Sequence, residues 1–230
     1  MTRVLITGVR GKTGAPLAQL LAARPDVDVL GGSSDPSSVT ADGVRPTAFS
    51  WDDRSGWAAA TEGVDAVYLV RPDRPDTPEL VAALLAELPR DARVVLLSEQ
   101  DADSFAPGDW APRVEAAVRE GGHPWTILRP SWFMQVFTDP RYYADVLAAG
   151  QLPFAGGGAT VAWIDARDIA AVAERALLDG GHDGQVLELT GPEALTLPAT
   201  AAVLSQVLGR TVRHQEISIA EAVGGMPEGF

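Results

Sequence analysis

The most constraining feature of this sequence sits near its start. An apolar run, Arg3-Val4-Leu5-Ile6-Thr7, leads directly into Gly8-Val9-Arg10-Gly11-Lys12-Thr13-Gly14. An amphipathic stretch follows, with Leu17, Leu20 and Leu21 on one face. A strand that swings into a helix over so short a span needs small residues at fixed places. Gly8 admits the tight turn, Gly11 lets a bulky anion approach the backbone, and Gly14 lets the helix pack close to the sheet. The start of that helix, over Thr13–Arg24, offers unpaired N–H groups and a partial positive charge. The expectation is a phosphate-binding turn for a dinucleotide. The competing reading is a glycine-rich turn without a ligand. A P-loop ATPase is set aside, because the first glycine of that motif is missing before Gly11-Lys12-Thr13.

The rest of the chain repeats the alternation. Apolar runs at Val27–Leu30, Thr47–Ser50, Val64–Val70, Ala92–Leu97, Trp125–Leu128, Val186–Leu189 and Val212–Ile217 read as strands. Helical patterns fall at Pro78–Leu88, Pro112–Glu120, Arg141–Ala149, Asp168–Leu178 and Pro198–Leu208. Gly121-Gly122, Gly150, Gly180-Gly181 and Gly209 stop them. Strands alternating with helices, and apolar along their whole length, belong to a parallel sheet covered on both faces. The expected fold class is α/β, a Rossmann-type doubly wound, mostly parallel sheet with a small C-terminal substrate-covering portion. The 230 residues fit one NAD(P)-binding domain. The less regular segments near 130–165 and 191–230 are expected to form the cover.

Charge and composition narrow the partners. A net charge of −13 repels nucleic-acid backbones and anionic membranes, so a small-molecule substrate is expected instead. The absence of cysteine removes disulfides, thiolate catalysis and cysteine-held zinc. No apolar run is long enough to span a bilayer. The first strand begins next to Met1, so a cytoplasmic location is expected. The charge gives no oligomeric state.

The end of the second strand tests NAD against NADP. A carboxylate there would bind a ribose hydroxyl and repel a 2′-phosphate. This chain has Gly31-Gly32-Ser33-Ser34, with Asp35 just behind. Ser33 and Ser34 have hydroxyls that can donate to a phosphate, and Arg10 and Lys12 in the adjacent turn have positive charge. NADPH is the expected cofactor and NADH the alternative; the bland reading keeps both serines as turn residues.

Taken together, GVRGKTG at 8–14, GVDAVYLVRP at 63–72, WTILRPSWFMQ at 125–135, WIDARDIAAVAERAL at 163–177 and LELTGPEALT at 187–196 resemble the NmrA-like atypical short-chain dehydrogenase/reductases. The GKT form of the turn is similar to the festuclavine-dehydrogenase-type subgroup. The resemblance implies that the 8–14 turn, including Thr13, binds the pyrophosphate and that Asp52 lies near the adenine. It implies that Val70, Arg71 and Pro72 edge the ribose, that Ser98 and Glu99 follow the fifth strand, and that Pro130, Ser131, Trp132 and Phe133 close over the nicotinamide. Family members usually run on past the point where this sequence stops, so a reduced cover or a missing piece is expected.

One family hallmark is absent. Typical short-chain dehydrogenases protonate the product alkoxide with the tyrosine of a Tyr-x-x-x-Lys pair. Tyr68, Tyr142 and Tyr143 have no lysine four residues on, and Lys12 is the only lysine. Trp110 and Arg113 lie near where such a pair would fall. A hydride transferase of this kind should act on conjugated acceptors that need no strong acid, such as an imine, iminium or quinone, by positioning them in dry surroundings. Trp132, Phe133 and Trp163 could hold a flat substrate, or could simply be core. Glu99 is the carboxylate best placed for proton work. Ser131, lacking a nucleophile motif, could hydrogen-bond the substrate or the cofactor carboxamide. Asp165 and Asp168 read as helix-capping residues. His123, His182 and His214 read as solvated or capping, with no metal spacing. The alternatives to an NADPH-dependent oxidoreductase are a non-catalytic NAD(P)-binding redox sensor and a redox-silent cyclase or isomerase.

Overall fold

A computed structural model describes residues 1–106 and 108–224. In chain order the elements are β1 (Thr2–Ile6), α1 (Gly14–Ala22), β2 (Val27–Ser33), β3 (Val44–Ala48), α2 (Trp57–Thr61), β4 (Ala66–Leu69), α3 (Thr77–Glu87), β5 (Arg93–Leu97), α4 (Trp110–Glu120) and β6 (Trp125–Pro130). There follow α5 (Ala144–Ala148), β7 (Gln151–Phe154), β8 (Thr160–Val161), α6 (Ala166–Leu178), β9 (Gln185–Leu189), β10 (Leu195–Thr196), α7 (Leu197–Leu208), β11 (Arg213–Glu216) and α8 (Ile219–Gly224).

The chain divides into two compact units, and each is made of two separate stretches. The first comprises Met1–Pro130 and Ala166–Leu189. Its seven strands form one sheet in the order β3-β2-β1-β4-β5-β6-β9, every neighbouring pair parallel. This is the expected Rossmann-type α/β sheet. Strand order reverses between β1 and β4, and the C-terminal ends of those strands frame the crevice where such sheets bind ligands. The strands are buried on both faces. Leu5, Val67, Leu69, Val94 and Leu96 pack with Val81 and Leu85 of α3 and Val114 and Val118 of α4. On α6, Ile169, Ala170 and Ala173 are fully buried. Arg93 at the start of β5 donates to the Leu177 and Asp179 carbonyls at 3.1 and 2.9 Å. It thereby closes the carbonyl end of α6 with a cation, which suits the negative pole of a helix.

Two strand boundaries differ from expectation for physical reasons. β2 does not stop at Leu30 but continues through Gly31 and Gly32 to Ser33, paired with β3 as far as Ala48. A Cβ on Gly31 would meet Val44 at 2.8 Å, and one on Gly32 would meet the Ile6 carbonyl oxygen at 2.9 Å. These glycines are strand residues squeezed between neighbours. β3 lies earlier than expected, over Val44–Ala48, with Pro46 inside it. It is an edge strand, where a residue without an N–H costs no ladder bond.

The second unit comprises Ser131–Asp165 and, of the described residues, 190–224; residues 225–230 of the expected cover lie outside the described residues. Two small sheets serve it, β11 parallel to β7 and β10 antiparallel to β8. Its centre is aromatic: Val136, Trp163 and Leu197 are buried among Trp132, Phe137, Tyr143 and Phe154. α7 ends at Gly209, which takes φ 64°, the left-handed cap conformation that favours glycine. Short strands β7, β8 and β10 carry too few residues to show a period in sequence.

Candidate functional site

The phosphate turn is held from below by Thr7. Its hydroxyl accepts from the Val70 N–H at 2.9 Å and donates to the Val70 carbonyl at 3.0 Å. The C-terminal ends of β1 and β4 are thus clipped together at the switch point. The turn closes through Gly11 N–H donating to the Gly8 carbonyl at 2.9 Å, and Ala15 N–H donating to Gly11 at 3.0 Å. A Cβ on Gly14 would lie 2.0 Å from the Gly8 carbonyl oxygen. That carbonyl and the first residue of α1 are therefore in near contact, which only hydrogen at Gly14 allows. Gly8 lies against Val70, where a Cβ would come within 3.0 Å of the Val70 Cβ. Closeness to β4, rather than turn geometry alone, restricts that position. Thr13 is the cap residue of α1, buried and with no capping bond from its side chain. Lys12 is half-buried.

A cavity of about 470 Å³ opens beside this turn. Of the residues expected from sequence, it gathers Gly8, Arg10, Gly11, Ser33, Ser34, Asp52 and Pro72. Sequence reasoning missed Arg74, Trp51 and Phe49, which also line it. Phe49 stands edge-on to Trp51 and parallel to Trp57, with centroids 5.1 and 5.9 Å apart. Aromatic residues at 49, 51 and 57, just past an edge strand, were the available signal. The Ser33 hydroxyl is committed to its own turn, donating to the Asp35 carbonyl at 2.9 Å and accepting from the Asp35 N–H. Ser34 is exposed. Asp35 turns its carboxylate away to the Ser37 N–H and hydroxyl. The carboxylate nearest the end of β2 is thereby occupied. The glycine cradle, the aromatic floor and the two arginines fit the adenosine and diphosphate portion of NADPH.

The remaining expected residues divide. Val70 is half-buried, and the Arg71 guanidinium lies over the Trp110 ring, 3.2 Å from its centroid. Arg71 also pairs with Asp73. Ser98 is buried and donates to Glu115 at 2.7 Å. That bond commits the hydroxyl hydrogen of Ser98 to a buried carboxylate. Glu115 in turn accepts both Arg129 Nε and Nη2, at 2.9 and 2.8 Å, and Arg129 also grips Asp103 twice at 2.7 Å. Glu99 is half-buried; burial pushes its carboxyl above the usual range, against the pull of Arg71. Pro130 ends β6, its carbonyl accepting from Gln100 at 3.1 Å.

In the second unit Ser131 is buried and Phe133 half-buried, bridged to Ile164. Trp132 meets Phe154 and Trp163 edge-on at 5.1 and 6.3 Å. Trp163 is only 4% exposed and donates its indole N–H to Thr200 at 3.0 Å. It is a packed core side chain, so a flat substrate could stack on it only if the cluster opened. Asp165 precedes α6 and accepts from Gln135 at 3.1 Å. His123 is buried, not solvated, with Nε2 2.9 Å from the Leu85 carbonyl. His214 lies 3.1 Å from the Phe154 carbonyl. Among the described residues no cluster of His, Asp and Glu could hold a metal, and no helix is long and apolar enough to cross a membrane.

Residues 8–180 match a family described as NAD(P)H-binding. A (4-alkanoyl-5-oxo-2,5-dihydrofuran-3-yl)methyl phosphate reductase of Streptomyces griseus is 35% identical over 95% of this chain and 78% of its own length. An NAD(P)H azoreductase of Xenophilus azovorans is 33% identical over 98% of this chain and 82% of its own. Among solved structures, the NADPH-dependent quinone oxidoreductase of Escherichia coli in complex with NADPH superposes with a TM-score of 0.82. It is 24% identical and covers 98% of this chain and 84% of that one. By motif, fold and kinship, the chain belongs to the NAD(P)H-binding family, with the NmrA-like atypical short-chain dehydrogenase/reductase fold.

Proposed function

We propose that this NAD(P)H-dependent oxidoreductase uses NADPH to reduce a small conjugated acceptor, an imine, iminium or quinone, without a Tyr-x-x-x-Lys acid. The observation that carries this reading is the cavity beside the glycine turn, with Arg10 and Arg74 in its lining and no free carboxylate at the end of β2. When bound, the reduced nicotinamide supplies a hydride. The chain's own residues bind, orient and exclude water. The turn amides and α1 grip the diphosphate, Asp52 and Pro72 border the adenosine, and Val70, Arg71 and Pro130 edge the far ribose and ring. We further propose that the second unit, through Ser131, Trp132 and Phe133, supplies the substrate-facing surface.

Chemistry at the acceptor follows from what is missing. Where the acid of a typical reductase would stand, α4 begins with Trp110 lying under Arg71. An indole N–H is no acid. An iminium is neutralised by hydride and needs no proton. A quinone delocalises the incoming charge, and the hydroquinone anion that results takes up its one proton from water. Glu99, whose burial favours the protonated form, is the group proposed to donate where a proton is required. The experiment is anaerobic NADPH oxidation followed at 340 nm (roughly the nicotinamide band) with a panel of quinones, azo dyes and cyclic iminium salts, beside simple ketones. Turnover confined to the conjugated acceptors is expected. Tight NADPH binding with no turnover on any acceptor would instead mark a redox sensor, and faster ketone than quinone reduction would refute the acid-free mechanism.

A further inference from the structure

We propose that Arg74, in the loop between β4 and α3, is the residue that recognises the phosphomonoester on the adenosine ribose, with Asp52 acting as a counterion that the phosphate displaces. This inference rests on the NADPH reading above. The argument begins with charge. The chain carries a net −13, yet the charged side chains lining the cavity beside the turn are Arg10, Arg74 and Asp52. NADPH brings several negative charges into that space, and the turn amides answer only those of the diphosphate.

The two arginines differ. Arg10 is exposed in the turn and has no ion pair among the described residues. Arg74 is held. Its Nε and Nη2 donate to the two carboxylate oxygens of Asp76 at 2.5 and 2.8 Å, a fork-on-fork pair. That grip leaves Nη1 facing Asp52 at 2.6 Å. Asp76 therefore aims the guanidinium, and Asp52 fills its open corner. The Asp52 side chain is 85% exposed, while Arg74 is at 36%. A solvated, singly charged carboxylate is a weak competitor in water. A phosphate dianion entering the cavity takes the same corner with more charge and better acceptors, and Asp52 is released toward the adenine amine. Ser33 cannot take this part, because its hydroxyl serves its own turn.

The test is calorimetric titration of the full chain with 2′,5′-ADP and with 5′-AMP, which differ at the 2′-phosphate. Wild type, Arg74→Met, Asp52→Asn and Asp76→Asn are compared, with circular dichroism as the folding control. Arg74→Met should weaken 2′,5′-ADP about ten- to hundred-fold, the worth of one charge-assisted contact, and leave 5′-AMP nearly unchanged. Asp52→Asn should tighten 2′,5′-ADP by removing the competitor. Asp76→Asn should weaken it by releasing the aim of Arg74. Equal losses for both ligands in Arg74→Met, or unchanged 2′,5′-ADP binding in folded Arg74→Met, would overturn the proposal while leaving the NADPH preference to Arg10. If wild type itself binds 5′-AMP as tightly as 2′,5′-ADP, the NADPH reading fails, and this inference with it.

Discussion

Replacing Gly14 by alanine should separate the turn's architecture from its ligand. The added Cβ would stand 2.0 Å from the Gly8 carbonyl oxygen and 2.8 Å from the Gly8 carbon, whereas real Cβ contacts do not come under 3.0 Å. The start of α1 must then retreat from the end of β1 by about 1 Å. Backbone, not a flexible side chain, is the obstacle. Alanine favours helix over glycine by about 1 kcal/mol in a helix interior, and by less at a first position. Overpacking against a rigid wall costs about 1–3 kcal/mol, so the clash wins. For a chain of this size that is a Tm lowered by roughly 2–12 °C. The same retreat pulls the helix amides off the diphosphate. Losing one charge-assisted bond, worth about 1.5–3 kcal/mol, weakens NADPH about ten- to hundred-fold. Gly11→Ala is the control. Its Cβ meets only the Gly8 oxygen, at 3.1 Å, which a shift of tenths of an ångström relieves. That variant should keep its Tm and lose NADPH affinity, because its methyl stands at the cavity. Thermal melts and nicotinamide-fluorescence titrations read both quantities. Native melting and native NADPH affinity in Gly14→Ala would refute the claim that helix and turn are in contact there.

Other expectations follow from the same structure. Arg129→Met should destabilise the first unit by about 3–5 kcal/mol, since it leaves Glu115, which is 1% exposed, with only the Ser98 hydroxyl and the outlying Arg119 as partners, while Arg119→Ala, removing a 40% exposed partner of the same carboxylate, should cost under about 1 kcal/mol; urea unfolding distinguishes them. Trp163→Phe should cost about 1–3 kcal/mol through lost volume and the lost indole bond to Thr200, whose hydroxyl keeps its bond to the Thr196 carbonyl, and Trp132→Phe less, read from near-ultraviolet dichroism on melting. In the second unit the Glu216 carboxylate accepts from the Gly157 and Gly156 amides, which hold it below its ordinary value of 4.5. That contribution is complete above about pH 4.5 and disappears as pH falls through the lower folded value. Nitrogen and proton shifts of Gly156 and Gly157 should titrate there, and in Glu216→Gln they should not.

Much of this was legible in the sequence because the strands are buried on both faces. Val94–Leu97 and Ala66–Leu69 are apolar along their length, and the glycine turn sits where strand gives way to helix. The β2 terminus was not legible, because Gly31 and Gly32 read as breakers unless Val44 and the Ile6 carbonyl are known to crowd them. Arg74 was missed because its loop is far in sequence from the turn it faces across the cavity. The surroundings of Ser98 and Trp163 were not legible for one reason: a polar or aromatic residue near a strand end reads as available, and only the fold reveals its hydrogen-bond partner, Glu115 or Thr200. The aromatic centre of the second unit shows no period, so its residues looked like a site and a core equally.

The first unit is interrupted: the chain departs at Pro130 and returns at Ala166 with the helix and strand that finish it. A ribosome that has released only the leading portion has made a sheet whose β6 still lacks β9 along one side, and an α1 still waiting for α6. That half-built state presents an open row of amides and carbonyls beside bare apolar surface, the combination that invites association between nascent chains. Synthesis of this protein therefore carries a vulnerable interval set by the time needed to translate the excursion, and slowing translation across it should lower the soluble yield without any change in the finished molecule.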